Sequence, residues 1–405
     1  MAGMSVEPYR EITFDKDGDG AAGQGERLAG LAADGVTDLV MFAHGWNNSR
    51  SVATRLYDRF FAPFPGLVRP DVRVGYVGVV WPSMMFSDEP IPDFESVAAV
   101  HPGKEAVVGR LAVLLKEQPE DEDAFAEFGE LLRELTDTNG SRAFAAGPDA
   151  PEVPDFLLGD PVAVCAMFAD ALEEAAGPGG VPTPREAFGG RLKRYWKGAK
   201  EALRQATYYT MKRRSGTVGE RGLGPLLGEL ARSAPALRIH LVGHSMGARL
   251  VAHALRGLPT GARNVASLTL LQGAFSHYSF AASLPHEPGR GGALRDMQQR
   301  VDGPVVACYS RHDTALGVIY PLASRLARDA DSLLGSDKRW MAIGHDGIQA
   351  VPGTTTLTLA ASLRNGTPAS GCVSIDAAAV VGEHSDICHE ELARVVTSAG
   401  RIGRR

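Results

Sequence analysis

The chain alternates short apolar runs with longer amphipathic segments. Five apolar runs have the length and composition of buried strands: DLVMFAHG (38–45), VRVGYVGVVWP (72–82), LRIHLVG (237–243), SLTLLQGAF (267–275) and PVVACYS (304–310). Near-continuous apolar runs of this length are typical of parallel strands that helices cover on both faces of a sheet. The pattern therefore predicts an α/β fold with a mostly parallel sheet flanked by helices.

The pattern changes between residues 84 and 218. Strand-like runs disappear, and helix-like segments such as KEAVVGRLAVLLKEQ, DEDAFAEFGELLRELTD and PVAVCAMFADALEEA take their place. Stretches rich in Pro and Gly, AAGPDAPEVPD and AAGPGGVPTP, separate them. We interpret residues 84–218 as a large helical insertion into an α/β core that comprises residues 1–83 and 219–405.

Composition narrows the possible partners. The 405 residues are 44% hydrophobic and 22% charged, which is typical of a globular protein, and no apolar run is long enough to span a membrane. A net charge of −6 gives no electrostatic basis for binding nucleic acid. The N-terminus has no basic segment followed by an apolar run, so we expect a cytoplasmic protein without membrane contact. The sequence leaves the oligomeric state open.

Two features of the sequence bear on metal binding. The four cysteines lack C-x-x-C spacing, which argues against common zinc and dithiol sites. DKDGDGAAGQGE has the spacing of a calcium loop, with Asp15, Asp17, Asp19, Gly20 and Glu26 at the ligand positions. The preceding REITF is typical of an edge strand, whereas a calcium loop follows a helix. We therefore predict an Asp- and Gly-rich turn, and expect no metal or organic cofactor.

The motif LVGHSMG carries the candidate chemistry. Gly243, Ser245 and Gly247 satisfy G-x-S-x-G, with a strand-like run before the motif and the helix-like ARLVAHALRG after it. A sharp strand-to-helix turn strains the serine backbone and brings the positions two before and two after it together, so both must be glycine. The helix N-terminus then favours negative charge developing near the serine. The alternative is a serine that only caps a helix.

In this strand–turn–helix setting the chain resembles the α/β-hydrolase superfamily of esterases and lipases. A second matching block, FAHGWNNS, ends the first predicted strand. In that superfamily the oxyanion hole is formed by an N–H in the loop at this point and by the N–H of the residue after the nucleophile. The resemblance implies Trp46 and Met246 as these donors and places His44 and Gly45 beside the substrate. It also implies the α/β-hydrolase fold for the sheet regions. The superfamily usually places its cap later in the chain, so our interpretation of residues 84–218 as a cap is not explained by the resemblance.

The resemblance implies that the acid follows the serine in the chain and that the histidine comes last. Asp313 lies just past the carboxyl end of the PVVACYS strand, where α/β sheets place their functional loops. Asp302 precedes that strand and lies at the wrong edge of the sheet. We therefore favour Asp313 as the acid over Asp302 and Asp346.

Three histidines are candidates for the base. His384 lies in a loop directly before Ser385, which we interpret as the N-cap of the last helix, and this is the placement that the superfamily uses. His389 is then expected inside that helix. His345 lies in a glycine-flanked loop and remains an alternative because the chain between Asp313 and His384 is long.

These assignments predict acyl transfer. His384 takes the proton of Ser245, the serine attacks an acyl carbonyl, and water releases the acyl-enzyme. The expected protein is a serine hydrolase, esterase- or lipase-like, acting on a small-molecule acyl substrate. The alternatives are an acyltransferase or thioesterase with the same triad, and a non-catalytic relative that binds a ligand.

The segment RYWKGAKEALRQATYYTMKRRSG combines Trp196, Tyr208 and Tyr209 with many basic residues. One interpretation is a helix whose aromatic face covers the active site, with Tyr208 and Tyr209 contacting substrate. The other is an ordinary amphipathic helix with a solvated basic face. Binding to a membrane surface or a polyanion is less favoured, because the nearby EQPEDEDAFAEFGELLREL supplies compensating acidic residues.

Overall fold

Contacts within the chain divide it into two units. The computed structural model describes residues 4–46, 48, 50–83, 103–136, 155–175, 188–313, 316 and 341–403. The described residues of 1–83, 214–322 and 336–405 form the first unit, and those of 84–213 belong to the second.

The first unit contains a single eight-stranded sheet in the part of the chain that is described. Its strands are β1 (Tyr9–Thr13), β2 (Asp38–Ala43), β3 (Val74–Val80), β4 (Arg238–His244), β5 (Val265–Leu271), β6 (Pro304–Tyr309), β7 (Thr355–Thr358) and β8 (Gly371–Asp376). They lie in the order β1-β3-β2-β4-β5-β6-β8-β7, and every neighbouring pair is parallel. The predicted α/β fold is confirmed.

The burial of the central strands explains why the hydrophobic pattern predicted them. Every residue of β2, β3 and β5 is buried, which requires the continuous apolar runs seen in the sequence. Two strands, β7 and β8, were not predicted from the hydrophobic pattern. Half-exposed and exposed residues alternate along β7, TTLT, at the sheet edge, and β8, GCVSID, is built largely from small residues.

Helices join the strands and form most of the second unit. Those between β1 and β4 are α1 (Gln24–Ala33), α2 (Arg50–Phe61), α3 (Phe64–Leu67), α4 (Glu105–Glu117), α5 (Glu122–Leu135), α6 (Asp155–Leu158), α7 (Pro161–Ala175), α8 (Phe188–Thr217) and α9 (Gly224–Ser233). After β4 come α10 (Met246–Gly257), α11 (Ile343–Asp346), α12 (Leu359–Asn365) and α13 (Glu390–Gly400). A π-helical segment, Val218–Leu223, joins α8 to α9 without a break.

The second unit has an aromatic cluster of its own. The Trp196 ring is 1% exposed and stacks on Phe125 at 4.4 Å between ring centroids, with Phe128 edge-on at 5.9 Å. The Trp196 indole N–H donates to the carbonyl of Pro119 at 3.0 Å. Trp196 therefore packs within this unit, as expected of an ordinary amphipathic helix.

The Asp-rich segment after β1 is a closed turn. Phe14 and Gly20 pair in an antiparallel bridge, and Asp15 Oδ1 accepts the backbone N–H groups of Asp17 at 2.9 Å and Asp19 at 2.8 Å. This is the turn that the sequence predicts. Among the described residues no group of three or more His, Cys, Asp or Glu is arranged to hold a metal ion. Across the same residues, no helix is both long and apolar enough to cross a membrane.

Candidate active site

The site lies at the carboxyl ends of the parallel strands. Ala43 at the end of β2 is in register with Gly243 near the end of β4, so the loops that follow these strands leave the sheet side by side. Asp313 follows β6 and His384 follows β8. Parallel strands carry their loops to one edge of the sheet, where functional groups from distant parts of the chain can meet.

Ser245 occupies a strained turn between β4 and α10. Its backbone has φ 56° and ψ −118°, a conformation that costs a non-glycine residue about 1–3 kcal/mol. Two hydrogen bonds hold the turn: Ser245 N–H donates to Leu271 O at 3.0 Å, and Ala274 N–H donates to Ser245 O at 3.1 Å. The serine is buried, with 6% of its surface exposed.

The flanking glycines permit this turn because the main chain is crowded on both sides. A Cβ on Gly243 would lie 2.6 Å from the Cα of Ala248 on α10. A Cβ on Gly247 would overlap the carbonyl oxygens of Ala43 and His44 at the end of β2. The close approach of α10 to β4 requires glycine at position 243, and its close approach to the end of β2 requires glycine at position 247.

One chain of hydrogen bonds connects the three side chains predicted as the triad. His384 Nε2 lies 2.8 Å from Ser245 Oγ, and His384 Nδ1 lies 2.6 Å from Asp313 Oδ2. Asp313 is fully buried, and its Oδ1 accepts the backbone N–H of Leu316 at 3.0 Å. Because a carboxylate only accepts, Nδ1 carries the proton and Nε2 presents its lone pair to the serine hydroxyl.

The alternative acids have other contacts in the described structure. Asp302 precedes β6, and its backbone N–H donates to Val265 O at 2.8 Å. Asp346 is in α11, and both its carboxylate oxygens lie 3.0 Å from Nδ1 of the buried His277. The structure thus brings Asp313, and neither of these two, to His384.

The alternative bases also lie elsewhere. His345 is in α11, with a buried Nδ1 that has no hydrogen-bond partner among the described residues. His389 Nε2 pairs with Asp386 Oδ1 at 2.7 Å. The predicted N-cap at Ser385 is wrong: α13 begins at Glu390 with His389 as the capping residue. Asp386 also accepts the N–H of Gly382 at 3.0 Å, which keeps this segment folded as a loop.

The loop after β2 runs directly beside the serine. A Cβ on Gly45 would lie 3.0 Å from Ser245 Cβ. The Asn48 side-chain amide donates to the carbonyls of Gly45 at 3.2 Å and Trp46 at 3.1 Å. Met246 is the first residue of α10, so its N–H has no partner within the helix. This placement is compatible with oxyanion donors at Trp46 and Met246, whose role remains a prediction.

The His44 side chain contacts the start of the same loop. Its ring is 1% exposed and stacks on Trp81 at 5.6 Å, and Trp81 Nε1–H donates to His44 O at 2.9 Å. Burial lowers the pKa of His44 to about 4, so the ring is neutral, and its Nδ1–H donates to Gly45 O at 2.8 Å. The predicted contact of His44 and Gly45 with substrate stays a prediction.

The other two predicted substrate-binding residues lie on α8. Tyr208 and Tyr209 are both half-buried and belong to the second unit. Their role toward substrate also stays a prediction.

Sequence reasoning gave His244 no role, although it lies inside the serine motif. Its Nε2 lies 2.8 Å from the backbone carbonyl oxygen of His384, 140 residues later in the chain. Burial, and then the nearby His384, lower the pKa of His244 to about 3. A contact between residues so far apart leaves no local signal in the sequence.

Comparison with known families agrees with the fold. The model of a family described as "Alpha/beta hydrolase of unknown function (DUF900)" matches residues 196–328. This match supports an assignment of the chain to the α/β-hydrolase superfamily. The matched segment contains Ser245 and Asp313, whereas His384 and the loop after β2 lie outside it. No curated protein and no solved structure matches the chain.

Proposed function

We propose that this α/β hydrolase is a serine hydrolase that cleaves a carboxylic ester, or a related acyl bond, of a small-molecule substrate. The observation that carries the proposal is the hydrogen-bonded chain from the buried Asp313 carboxylate through His384 to Ser245 Oγ. A serine hydroxyl is a weak nucleophile at its ordinary pKa, and an adjacent imidazole held in one tautomer is what activates it.

The first half of the reaction forms an acyl-enzyme. Ser245 Oγ attacks the substrate carbonyl while its proton moves to His384 Nε2, 2.8 Å away. The imidazolium that forms keeps its Nδ1–H on Asp313, whose negative charge stabilises it without taking the proton. The proton on Nε2 then passes to the departing alcohol as the tetrahedral intermediate collapses.

The tetrahedral intermediate carries negative charge on the former carbonyl oxygen. The N–H groups of Trp46 and Met246 are the proposed donors to this oxygen, and a donor of this kind is worth about 10²–10³ in rate. In the second half of the reaction water attacks the acyl-enzyme with His384 as base. Asp313 and the same donors serve both halves.

Labelling with a fluorophosphonate probe, followed by peptide mapping, tests the proposal. We expect wild-type protein to be modified at Ser245, and Ser245→Ala to be neither labelled nor active on p-nitrophenyl acetate. His384→Ala should react at least about 10³-fold more slowly, because the serine loses its base. The control is His345→Ala, which removes the competing candidate base and should react like wild type.

Each other outcome has a definite meaning. Full esterase activity in Ser245→Ala excludes the proposal. A folded wild type that neither reacts with the probe nor hydrolyses the ester is a binding protein with a hydrolase fold. If an added alcohol diverts most of the acyl group into a new ester, the second acceptor is an alcohol and the protein is an acyltransferase.

A further inference from the structure

The buried imidazole of His244 touches three segments of the candidate site. His244 directly precedes Ser245, and its Nε2 lies 2.8 Å from the carbonyl oxygen of His384. The loop after β2 packs on the same ring, since a Cβ on Gly45 would lie 2.9 Å from His244 Nδ1. One side chain thus contacts the loop that carries the base and the loop that carries a proposed oxyanion donor, next to the nucleophile itself.

The hydrogen bond fixes the tautomer of His244. A carbonyl oxygen only accepts, so Nε2 carries the proton and Nδ1 keeps a lone pair. Nδ1 is buried and has no hydrogen-bond partner in the described part of the chain. With a pKa of about 3, His244 is neutral at neutral pH. Neutrality matters because the two rings are 5.0 Å apart, and a second cation would oppose the imidazolium that forms on His384.

Other hydrogen bonds hold the residues on either side of His384: the N–H of Asp386 donates to Glu383 O at 3.2 Å, and the N–H of Ile387 donates to Ser385 O at 3.0 Å. Ser310 Oγ donates to Val381 O at 2.8 Å before the histidine, and Asp386 pairs with His389 at 2.7 Å after it. Among the described hydrogen bonds, the main chain of His384 itself is held by His244. The position of His384 Nε2 beside Ser245 Oγ therefore depends on two contacts: Asp313 holds the ring at Nδ1, and His244 holds the backbone carbonyl.

We propose that His244 is a positioning residue, which holds the backbone of His384 through Nε2–H so that the base faces Ser245. This inference rests on the proposed function. A displacement of reacting groups by about 1 Å costs on the order of 10²-fold in rate, so loss of the anchor is expected to affect the chemical step and not substrate affinity.

Two amide substitutions test the hydrogen bond. The side-chain nitrogen of glutamine can reach the position of histidine Nε2, whereas that of asparagine ends near Nδ1 and cannot reach the carbonyl. We expect His244→Gln to keep kcat within about threefold of wild type and His244→Asn to lower it about 10- to 100-fold, with little change in KM. The rate of fluorophosphonate labelling at Ser245 should fall in parallel with kcat.

The matched control is His240→Gln, which changes a second buried histidine on β4. His240 contacts Asp38 and Ser267 at 3.0 Å each, away from the site, so its substitution should lower stability and leave kcat unchanged in folded protein. Because His244 stays neutral, His244→Gln should also leave the pH dependence of kcat between about pH 5 and pH 9 as in wild type.

The outcomes separate this inference from the proposed function. No labelling of wild type contradicts the proposed function itself. If wild type is labelled and folded His244→Asn reacts equally fast, the positioning role is excluded. Equal losses in both amide variants exclude the Nε2 hydrogen bond as the anchor. Should His244→Asn fail to fold, His244→Gln decides: retained kcat supports the anchor, and a large loss in folded protein excludes it.

Discussion

At the scale of single residues, the serine turn is possible because its flanking glycines have no side chains. The strained φ of Ser245 persists because α10 lies against the end of β2, and this contact leaves no room for a Cβ at Gly247. Sequence alone could predict this requirement, since the glycines and the serine lie within five consecutive positions. The anchoring of His384 by His244 could not be predicted, because it joins segments that meet only in the folded sheet.

Gly247→Ala should therefore disturb both stability and the site. The added methyl group overlaps two carbonyl oxygens of β2 and its loop, so α10 must move away from the strand. We expect a loss of about 1–3 kcal/mol in the free energy of unfolding, measured by urea titration, together with slower labelling of Ser245.

Gly30→Ala is the matched control for this substitution. Gly30 lies in α1 with nothing within 4 Å of the position of a Cβ, so alanine there should raise stability by about 0.5–1 kcal/mol. Labelling should be unaffected. Equal effects of the two substitutions would show that crowding at Gly247 has no energetic consequence.

At the scale of elements, β4 has charged contacts at its start and the nucleophile after its end. Asp38 at the start of β2 accepts from Arg238 at 2.8 Å and from the buried His240 at 3.0 Å, and Arg238 also donates to the Gly400 carbonyl of α13. Burial alone raises the pKa of Asp38, but hydrogen bonds from His240 and Thr37 and the charge of Arg238 outweigh it and lower the pKa overall.

Asp38→Asn should destabilise the sheet without altering the chemistry. It removes the negative charge that pairs with Arg238 and accepts from the buried His240, and loss of a charged hydrogen-bond acceptor of this kind costs about 1.5–3 kcal/mol. Urea unfolding measures the loss, and labelling of the folded variant should proceed at the wild-type rate because the site is at the other end of the strands.

Glu390→Gln provides the comparison for Asp38→Asn. Its partner Arg394 and Glu390 itself are both 55% exposed, so the change should stay below about 1 kcal/mol. A loss as large as that of Asp38→Asn would show that burial does not determine how much these ion pairs contribute to stability.

Burial explains which strands and helices could be predicted from the sequence. The five apolar runs correspond to β2–β6, since strands covered on both faces need apolar residues throughout. The edge strand β7 alternates between half-exposed and exposed positions, and the short β8 has few large apolar side chains, so neither stood out. The start of α13 was misplaced because the Asp386 side chain, and not local propensity, keeps residues 385–388 out of the helix.

At the scale of the whole molecule, two buried neutral histidines make stability depend on pH. The pKa values of His44 and His244 are lowered by burial to about 4 and about 3, from an ordinary value of 6.5. Between these values the unfolded chain binds protons that the folded protein does not, so stability falls as the pH falls.

We expect each histidine to contribute a loss of about 2 kcal/mol between roughly pH 8 and pH 5, measured as the free energy of urea unfolding. In His244→Gln, the share of this pH-dependent loss of stability that is due to His244 should disappear. An unchanged pH dependence in that variant would show that burial does not keep His244 neutral.

The separation of the site residues along the chain has a consequence for folding kinetics. The loop after β2, the serine turn, Asp313 and His384 come together only when parallel strands from both ends of the chain have paired. Such long-range pairing is slow, because loop-closure entropy is lost before the contacts form. A refolding chain can therefore collapse and form its helices while still inactive, and the return of activity reports the final step of folding.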